Sequence, residues 1–320
     1  MGFSAESTYG TYVAPTRWFP ASNFNVQKGQ NVVEASGVAA GRSAPVDDVV
    51  TTSWATGGAQ FDVLRKGFGL ILAQFLGSSA TPVQQGATAA YLQTHALGDN
   101  FGKSLTMQGG LPNAAGTVNP MTATGSKITK LELSCQLDGL VQATIEIDGK
   151  TYTEAQALAA PSYLTSNPPF HFGEMTVKLG TFGAEAAVQG VRGVTISMTR
   201  PQATDRFYGG NSGSKSEPIW NDFIDVSGSF DVDFVTKADF HDRWTGNTAT
   251  SAVVEWVGPT AIASTFFPTL RITCPKVKFG SGIGEVGGPD VIKGSIPFKA
   301  KLDETNGVVS AAYMSTDTAV

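Results

Sequence analysis

The sequence predicts a mainly β protein, and three observations carry that expectation. Hydrophobic residues alternate with polar ones in many short runs, the period of a half-buried strand. Glycine and proline are plentiful, at 37 and 16 of 320 residues, and Thr, Ser and Val are frequent throughout. That is the composition of short strands joined by turns. Helix-period stretches are few and short. With 41% hydrophobic and 15% charged residues the chain has enough apolar material for a sizeable core, which excludes global disorder.

The best-marked element is a hairpin. Leu131, Leu133, Cys135 and Leu137 alternate with Glu132, Ser134 and Gln136, Asp138-Gly139 follows, and Val141, Ala143, Ile145 and Ile147 alternate with Gln142, Thr144 and Glu146. Two period-2 runs around Asp-Gly predict two antiparallel strands with one buried face. The same alternation recurs at Met175, Val177 and Leu179, at Val194, Ile196 and Met198, and at Leu270, Ile272 and Cys274. Two further faces are Ile224, Val226, Phe230, Val232 and Phe234, with Gly228 in register, and Ile292, Ile296, Phe298, Ala300 and Leu302.

Three short helices are expected. Lys66 to Leu76 is apolar nearly all round and ends at Gly77, a suitable residue after a helix C-terminus. Lys237 to Thr245 ends at Gly246, and Thr153 to Ala160 has a Thr at its start and Pro161 as its stop. Gly109 to Gly125 and Gly280 to Asp290 read as long loops, the kind a compact domain keeps for function.

An internal repeat is expected as well. Phe61-Asp62-Val63 returns as Phe230-Asp231-Val232, with Gly77 and Gly246 closing the two helix candidates at the same 169-residue spacing. Leu105 matches Leu270 and Leu137-Asp138 matches Leu302-Asp303 at a spacing of 165. The expected organisation is two β domains, 1–160 and 161–320, against the alternative that strand-rich halves share such patterns by chance. Related halves can occupy equivalent places in a ring, so that three chains supply six like units.

Function classes fall away by what is missing. A net charge of −5 leaves no basic stripe for phosphates, which disfavours a sequence-reading nucleic-acid binder. No 18-residue apolar run predicts a membrane helix, and the polar start lacks the pattern of a secretory signal. His95, His171 and His241 have no metal-ligand spacing with one another or with Cys135 and Cys274. Two cysteines make no disulfide framework and suit synthesis in a reducing cytoplasm. Gly282-x-Gly284-x-x-Gly287 fits a dinucleotide fingerprint, but Gly288-Pro289 follows where a helix is needed. No catalytic constellation survives, and no cofactor is expected. One electrostatic feature stands out: six acids between Asn221 and Asp242, with Lys237 as the only base. Asp225, Asp231 and Asp233 fall on one strand face there, read either as a solvated face or as a lining that repels polyanions.

Several stretches resemble the tail tube proteins, or major tail proteins, of long-tailed bacteriophages. They are Glu6-Ser-Thr-Tyr-Gly-Thr-Tyr-Val-Ala-Pro-Thr-Arg-Trp18, Gly58 to Gly77, Ser104-Leu-Thr-Met-Gln108, Gly125 to Leu133, and Asp205-Arg206 with Glu217-Pro218 through Phe234. The resemblance implies β-sandwich or barrel domains, each with one short flanking helix. It implies a structural virion protein whose rings stack into the tube that conducts DNA, with no catalytic, cofactor or metal residues. With the doubled length it implies a trimeric ring of pseudo-sixfold symmetry, or a ring of six chains if the repeat is illusory. The implied partners are the chain itself, a tape-measure protein, a tail terminator and passing double-stranded DNA, without a membrane. The place is the virion, after synthesis in the host cytoplasm. Asp225, Asp231 and Asp233 are then candidates to line the bore. Tyr9, Tyr12 and Trp18, Leu111, Asn119 and Met121, and Ile283, Glu285 and Val286 are candidates for contacts between rings. The alternative is a β-sandwich module of a phage or cell surface that binds carbohydrate or protein.

Overall fold

A computed structural model of the chain describes residues 1–35, 47–281 and 292–320. The first half holds β1 (Gly2–Ala5), β2 (Arg17–Trp18), β3 (Ala21–Phe24), β4 (Gln27–Ala35), β5 (Asp47–Asp62), helix α1 (Gly69–Leu76), β6 (Gly77–Ser79), β7 (Val83–Gln84), β8 (Tyr91–Leu97), β9 (Leu105–Pro112), β10 (Val118–Gln136), β11 (Gln142–Gly149) and β12 (Thr151–Thr153). The second holds β13 (Met175–Thr181), β14 (Ala184–Ala187), β15 (Val191–Thr199), β16 (Asp225–Asp233), helix α2 (His241–Thr245), β17 (Thr250–Val257), β18 (Thr269–Phe279), β19 (Lys293–Ala300) and β20 (Ser310–Ser315). The chain is mainly β, as its period-2 runs predict.

One long antiparallel sheet runs through both halves in the order β3/β4, β5, β11, β10, β15, β16, β19, β18. Two shorter sheets accompany it. In the first half β2, β1, β9, β10 and β12 lie side by side. In the second, β14, β13, β17, β18, β20 and β8 do, with β6 and β7 on the far edge of β8. Strands β10 and β18 serve two sheets each. Gly125, at φ 65, lies where the β9–β10 register shifts, and Pro275 stands between the β20-paired and β19-paired stretches of β18. A left-handed glycine and a residue without an N–H are suited to such a change of partner.

The apolar faces form one core. Phe61 meets Phe3, Phe19 and Phe68, and Phe230 stacks on Phe298 with ring centroids 4.8 Å apart. Gly228 is hemmed in by strand β15 and by Phe298: a Cβ there would stand 2.1 Å from Thr195 O and 2.7 Å from the Phe298 ring. Leu137 and Leu302, expected in the buried faces, are 45% and 62% exposed. Each lies just beyond its strand, where alternation no longer dictates burial.

Two of the three expected helices exist, both shorter than expected. The first ends at Gly77, at φ 88, and the second spans only His241–Thr245. Thr153–Ala160 is not a helix. Thr151–Thr153 pairs with Thr122–Thr124, Thr153 Oγ1 turns back to accept from Ala155 N, and Gln108 takes the backbone of Ala157 and Ala159. Gly109–Gly125 is not a loop either. It is the body of the β9–β10 hairpin, closed at Asn113–Thr117 by Asn113 Oδ1, which accepts from Ala115 N and Thr117 N.

Six pairings recur in the same chain order in both halves. They are β1 on β9 and β13 on β17, β4 on β5 and β15 on β16, and β5 on β11 and β16 on β19. They continue with β11 on β10 and β19 on β18, β10 on β9 and β18 on β17, and β12 on β10 and β20 on β18. Lys127 faces Asp148 and Ile128 faces Ile147, while Lys278 faces Lys299 and Phe279 faces Phe298, a displacement of 151 residues on both strands. The spacing of 169 holds at the glycines that close α1 and α2, Gly77 and Gly246, whereas the spacing of 165 does not hold. Among the described residues the first half alone inserts β6–β8 between α1 and β9, which brings the displacement to 151 at β10/β18 and β11/β19. The Leu105–Leu270 match therefore joins β9 to β18, which are not counterparts in pairing.

Candidate assembly edges and polar sheet face

The long sheet has one apolar and one polar face. Phe61, Ala143, Ile145, Leu131, Leu133, Val194, Ile196, Phe230 and Phe298 point into the core. Strict alternation sends Asp62, Glu146, Glu132, Asp225, Asp231 and Asp233 to the other side. The three aspartates singled out in the sequence therefore do share a face. That face also carries cations from strands distant in sequence. Lys299 pairs with Asp225 at 2.6 Å, Arg192 with Asp233 at 3.3 Å, and Lys130 with Glu132 at 3.2 Å and Glu146 at 3.7 Å. The hydrogen bond to Glu132, ahead of other effects, raises the Lys130 ammonium above its ordinary range. Two of the three aspartates on that face, Asp225 and Asp233, thus have cationic partners, because Lys299 and Arg192 arrive by strand pairing that no local window contains.

Strand β15 is flanked on both sides, by β16 and by β10. Its counterparts β3 and β4 pair only with β5 among the described residues. Beyond the sheet β4 and β5 continue as a two-stranded ribbon, exposed from Gln30 to Ala35 and from Asp47 to Val50. Val32, Val33, Val49 and Val50 are each about half exposed. Sequence reasoning missed this ribbon, although the β-branched Val-Val pairs on either side of a Gly-rich stretch were its signal.

The proposed contact residues are distributed unevenly. Leu111 and Asn119 face each other across the β9–β10 hairpin and are exposed, and Met121 lies half-buried opposite Gly109. The N-terminal segment is folded onto the body. The Met1 ammonium donates to Phe19 O at 3.0 Å. Glu6 is buried and accepts from the Ser104 and Thr106 hydroxyls and from the Gly10 and Gly125 backbone N–H groups. Tyr9 lies under the Lys150 ammonium, 5.4 Å from the ring centroid, and burial drives its hydroxyl well above the usual phenol range. Tyr12 and Trp18 are half-buried, Trp18 edge-on to Tyr163. Ile283, Glu285 and Val286 lie outside the described residues.

The excursion 200–224 clasps the first half. Arg200, fully buried, donates to Phe75 O and Leu76 O at the end of α1 and to Gly98 O, with Trp220 stacked on its guanidinium at 4.6 Å. Lys215 pairs with Asp148 and Glu217 with Lys127, each at 2.5 Å. Burial raises the Asp148 carboxyl and lowers the Lys127 ammonium, each opposed by its partner.

Conventional reactive groups are quiet. Cys135 and Cys274 are free and buried, and burial pushes the Cys274 thiol up to about 12. Among the described residues no three His, Cys, Asp or Glu side chains gather to hold a metal, and no helix is long and apolar enough to cross a membrane.

A protein-family model described as Phage tail tube protein matches residues 1–300. No curated protein matches the chain. With the match spanning nearly its whole length, and with a β-rich body organised around paired and unpaired strand edges, the chain belongs to the phage tail tube proteins, structural subunits that self-assemble into the tube of the virion tail.

Proposed function

We propose that the chain is a tandem tube subunit of a long-tailed phage, with domains 1–160 and 161–320, and that three copies close a ring of pseudo-sixfold symmetry. The six recurring pairings support two related domains, and the boundary falls in the strand-free stretch after Thr153. The observation that carries the ring is the junction inside the chain. There β10 of the first half pairs with β15 of the second over Lys130–Gln136. The counterparts of these strands, β18 and β3/β4, stand at the two ends of the long sheet, and the stretch matching Lys130–Gln136, 281–287 by the 151-residue displacement, lies from Gly282 onward outside the described residues. Repeating the β10–β15 junction between chains joins those ends. Three eight-stranded sheets then make a cylinder of about twenty-four strands without free edges. A ring of six chains would need each chain to contribute one domain's width.

The polar face lines the bore in this arrangement. Duplex DNA carries about one charge per 1.7 Å of axis, so a basic lining would hold it. Asp225 and Asp233, each ion-paired, together with Asp231 present little attraction to a polyanion, and screening confines their field to within about 8 Å of the wall. The role is structural rather than catalytic. Leu111, Asn119, Met121, Tyr9, Tyr12 and Trp18, with Ile283, Glu285 and Val286, are proposed for contacts between rings. A tape-measure protein inside and a terminator at the end complete the set of partners, after synthesis in the host cytoplasm.

Native mass measurement of assembled rings tests the stoichiometry: three subunits are expected, and six would overturn the tandem ring. Changing Asp225, Asp231 and Asp233 together to Lys tests the lining. Tubes should form while genome ejection stalls, and unchanged ejection would place these residues elsewhere.

A further inference from the structure

Among the described residues two facing positions on paired strands carry like charges, Lys278 with Lys299 and Glu34 with Asp48, and they match each other. In the first half the facing partners Lys127 and Asp148 are met by Glu217 and Lys215, two residues apart on the β15–β16 connection. In the second half the same register holds Lys278 facing Lys299, with Lys276 and Lys301 beside them. Lys278 reaches Asn247 Oδ1 at 3.0 Å and Lys299 reaches Asp225, while Asp303 lies near enough to Lys276 to feel its charge. Four ammonium groups thus face two carboxylates.

The β4–β5 connection is the counterpart of the one that supplies Lys215 and Glu217. The strand ends that lead into it carry Glu34 on β4 directly opposite Asp48 on β5, with Asp47 adjacent, all exposed. Arg42 is the one base in its sequence between Gln30 and Ser53. Like charges directly opposite one another on paired strands destabilise the pair. Each of these two sites is therefore unfavourable alone and complementary to the other.

We infer that the Glu34/Asp47/Asp48 ribbon of one chain docks on the Lys278/Lys299 pair of the adjacent copy in the same ring. This rests on the tandem-ring reading, because that reading sets β3/β4 of one copy beside β18 of the next. The contact is heterologous, as ring closure requires. It repeats between chains, with the charges redistributed, the clasp that Lys215 and Glu217 make within one.

The test is a charge swap read by native mass measurement and negative-stain microscopy, with far-UV circular dichroism and thermal melting of each monomer to show that it folds. Glu34→Lys with Asp48→Lys should reduce ring formation at least tenfold at a fixed protein concentration. Lys278→Glu with Lys299→Glu should do the same, and Lys278→Glu alone, which spares the Lys299–Asp225 pair, should act in the same direction. Mixing the two doubly reversed chains should give mixed dimers, because the ribbon of each matches the Lys278/Lys299 position of the other, while a closed ring of three keeps one like-sign junction; one chain carrying all four changes should regain rings. Rings at wild-type levels from either doubly reversed chain, or folded four-site chains that stay monomeric, overturn the docking. Rings that form normally but fail to stack overturn its placement within a ring. A wild-type chain that forms no rings overturns the tandem-ring reading, and the docking with it.

Discussion

Arg200 is the sharpest point at which one half holds the other. Its guanidinium satisfies three carbonyls, two of them in the last turn of α1, a helix whose own last turn carries no basic residue. Burial lowers its pKa to about 10, so it stays charged at neutral pH although its site opposes charge. Arg200→Ala removes that desolvation cost but takes a donor from three carbonyls, of which Leu76 O keeps a second partner in the Gly98 N–H, and it removes the stacking with Trp220. An unsatisfied buried group costs about 1–3 kcal/mol, and breaking a buried charged network typically costs about 3–5 kcal/mol. We expect a loss of about 4 kcal/mol in equilibrium unfolding by guanidinium, followed by tryptophan fluorescence and circular dichroism together. Arg200→Lys keeps the charge but not the planar fork, and should lose about 2 kcal/mol. A loss under about 1 kcal/mol for the Ala variant would refute the claim that these carbonyls depend on Arg200. Wild-type stability for the Lys variant would show that charge alone suffices.

His95 is buried against Ser79 Oγ, and burial lowers its pKa from 6.5 to about 4. Its neutral form belongs to the folded state, so stability is complete above pH 6.5 and falls as the pH drops toward 4, by about 3 kcal/mol in all. His95→Asn should flatten that part of a stability–pH curve, and an unchanged slope would assign it to other groups. Phe230→Ala removes a fully buried ring stacked on Phe298 and should cost about 3–5 kcal/mol in the same unfolding assay. Gly77→Ala combines a left-handed backbone with a Cβ 2.6 Å from Gly98 O, and should cost about 2 kcal/mol or more. A neutral result would mean that the β6–β8 segment moves freely away from α1.

What the sequence made legible was local. The alternation around Asp138-Gly139 identified β10 and β11 and their buried residues, because a period of two in both strands leaves one consistent register. The run ending at Gly77 identified α1, since a nearly all-apolar segment with a left-handed stop has few other solutions. Thr153–Ala160 failed because helix signals there are weaker than pairing with β10 and capture by Gln108. The acidic run was visible but the distant cations that pair with part of it were not: Lys299 stands 74 residues beyond Asp225. The network of Arg200, Lys215 and Glu217 was equally out of reach, since each partner lies far off in the chain and no local pattern requires a buried cation.

The two halves solve one problem at two concentrations. A bond between segments of one chain forms at the high effective concentration of a tether. The second-half excursion can therefore present opposite charges to Lys127 and Asp148 and stay closed in the monomer. The corresponding contact between chains must stay open until copies meet. A ribbon whose facing residues are Glu34 and Asp48 repels another ribbon of its kind, and so discourages pairing of exposed edges between free monomers. The same charges attract a surface bearing Lys278 and Lys299. Backbone pairing supplies adhesion at any strand edge, whereas charge sign separates ribbon-on-ribbon from ribbon-on-rim. In the proposed tandem ring, the difference in charge sign at the 127/278 and 148/299 positions leaves the chain one edge sealed at folding and one reserved for assembly.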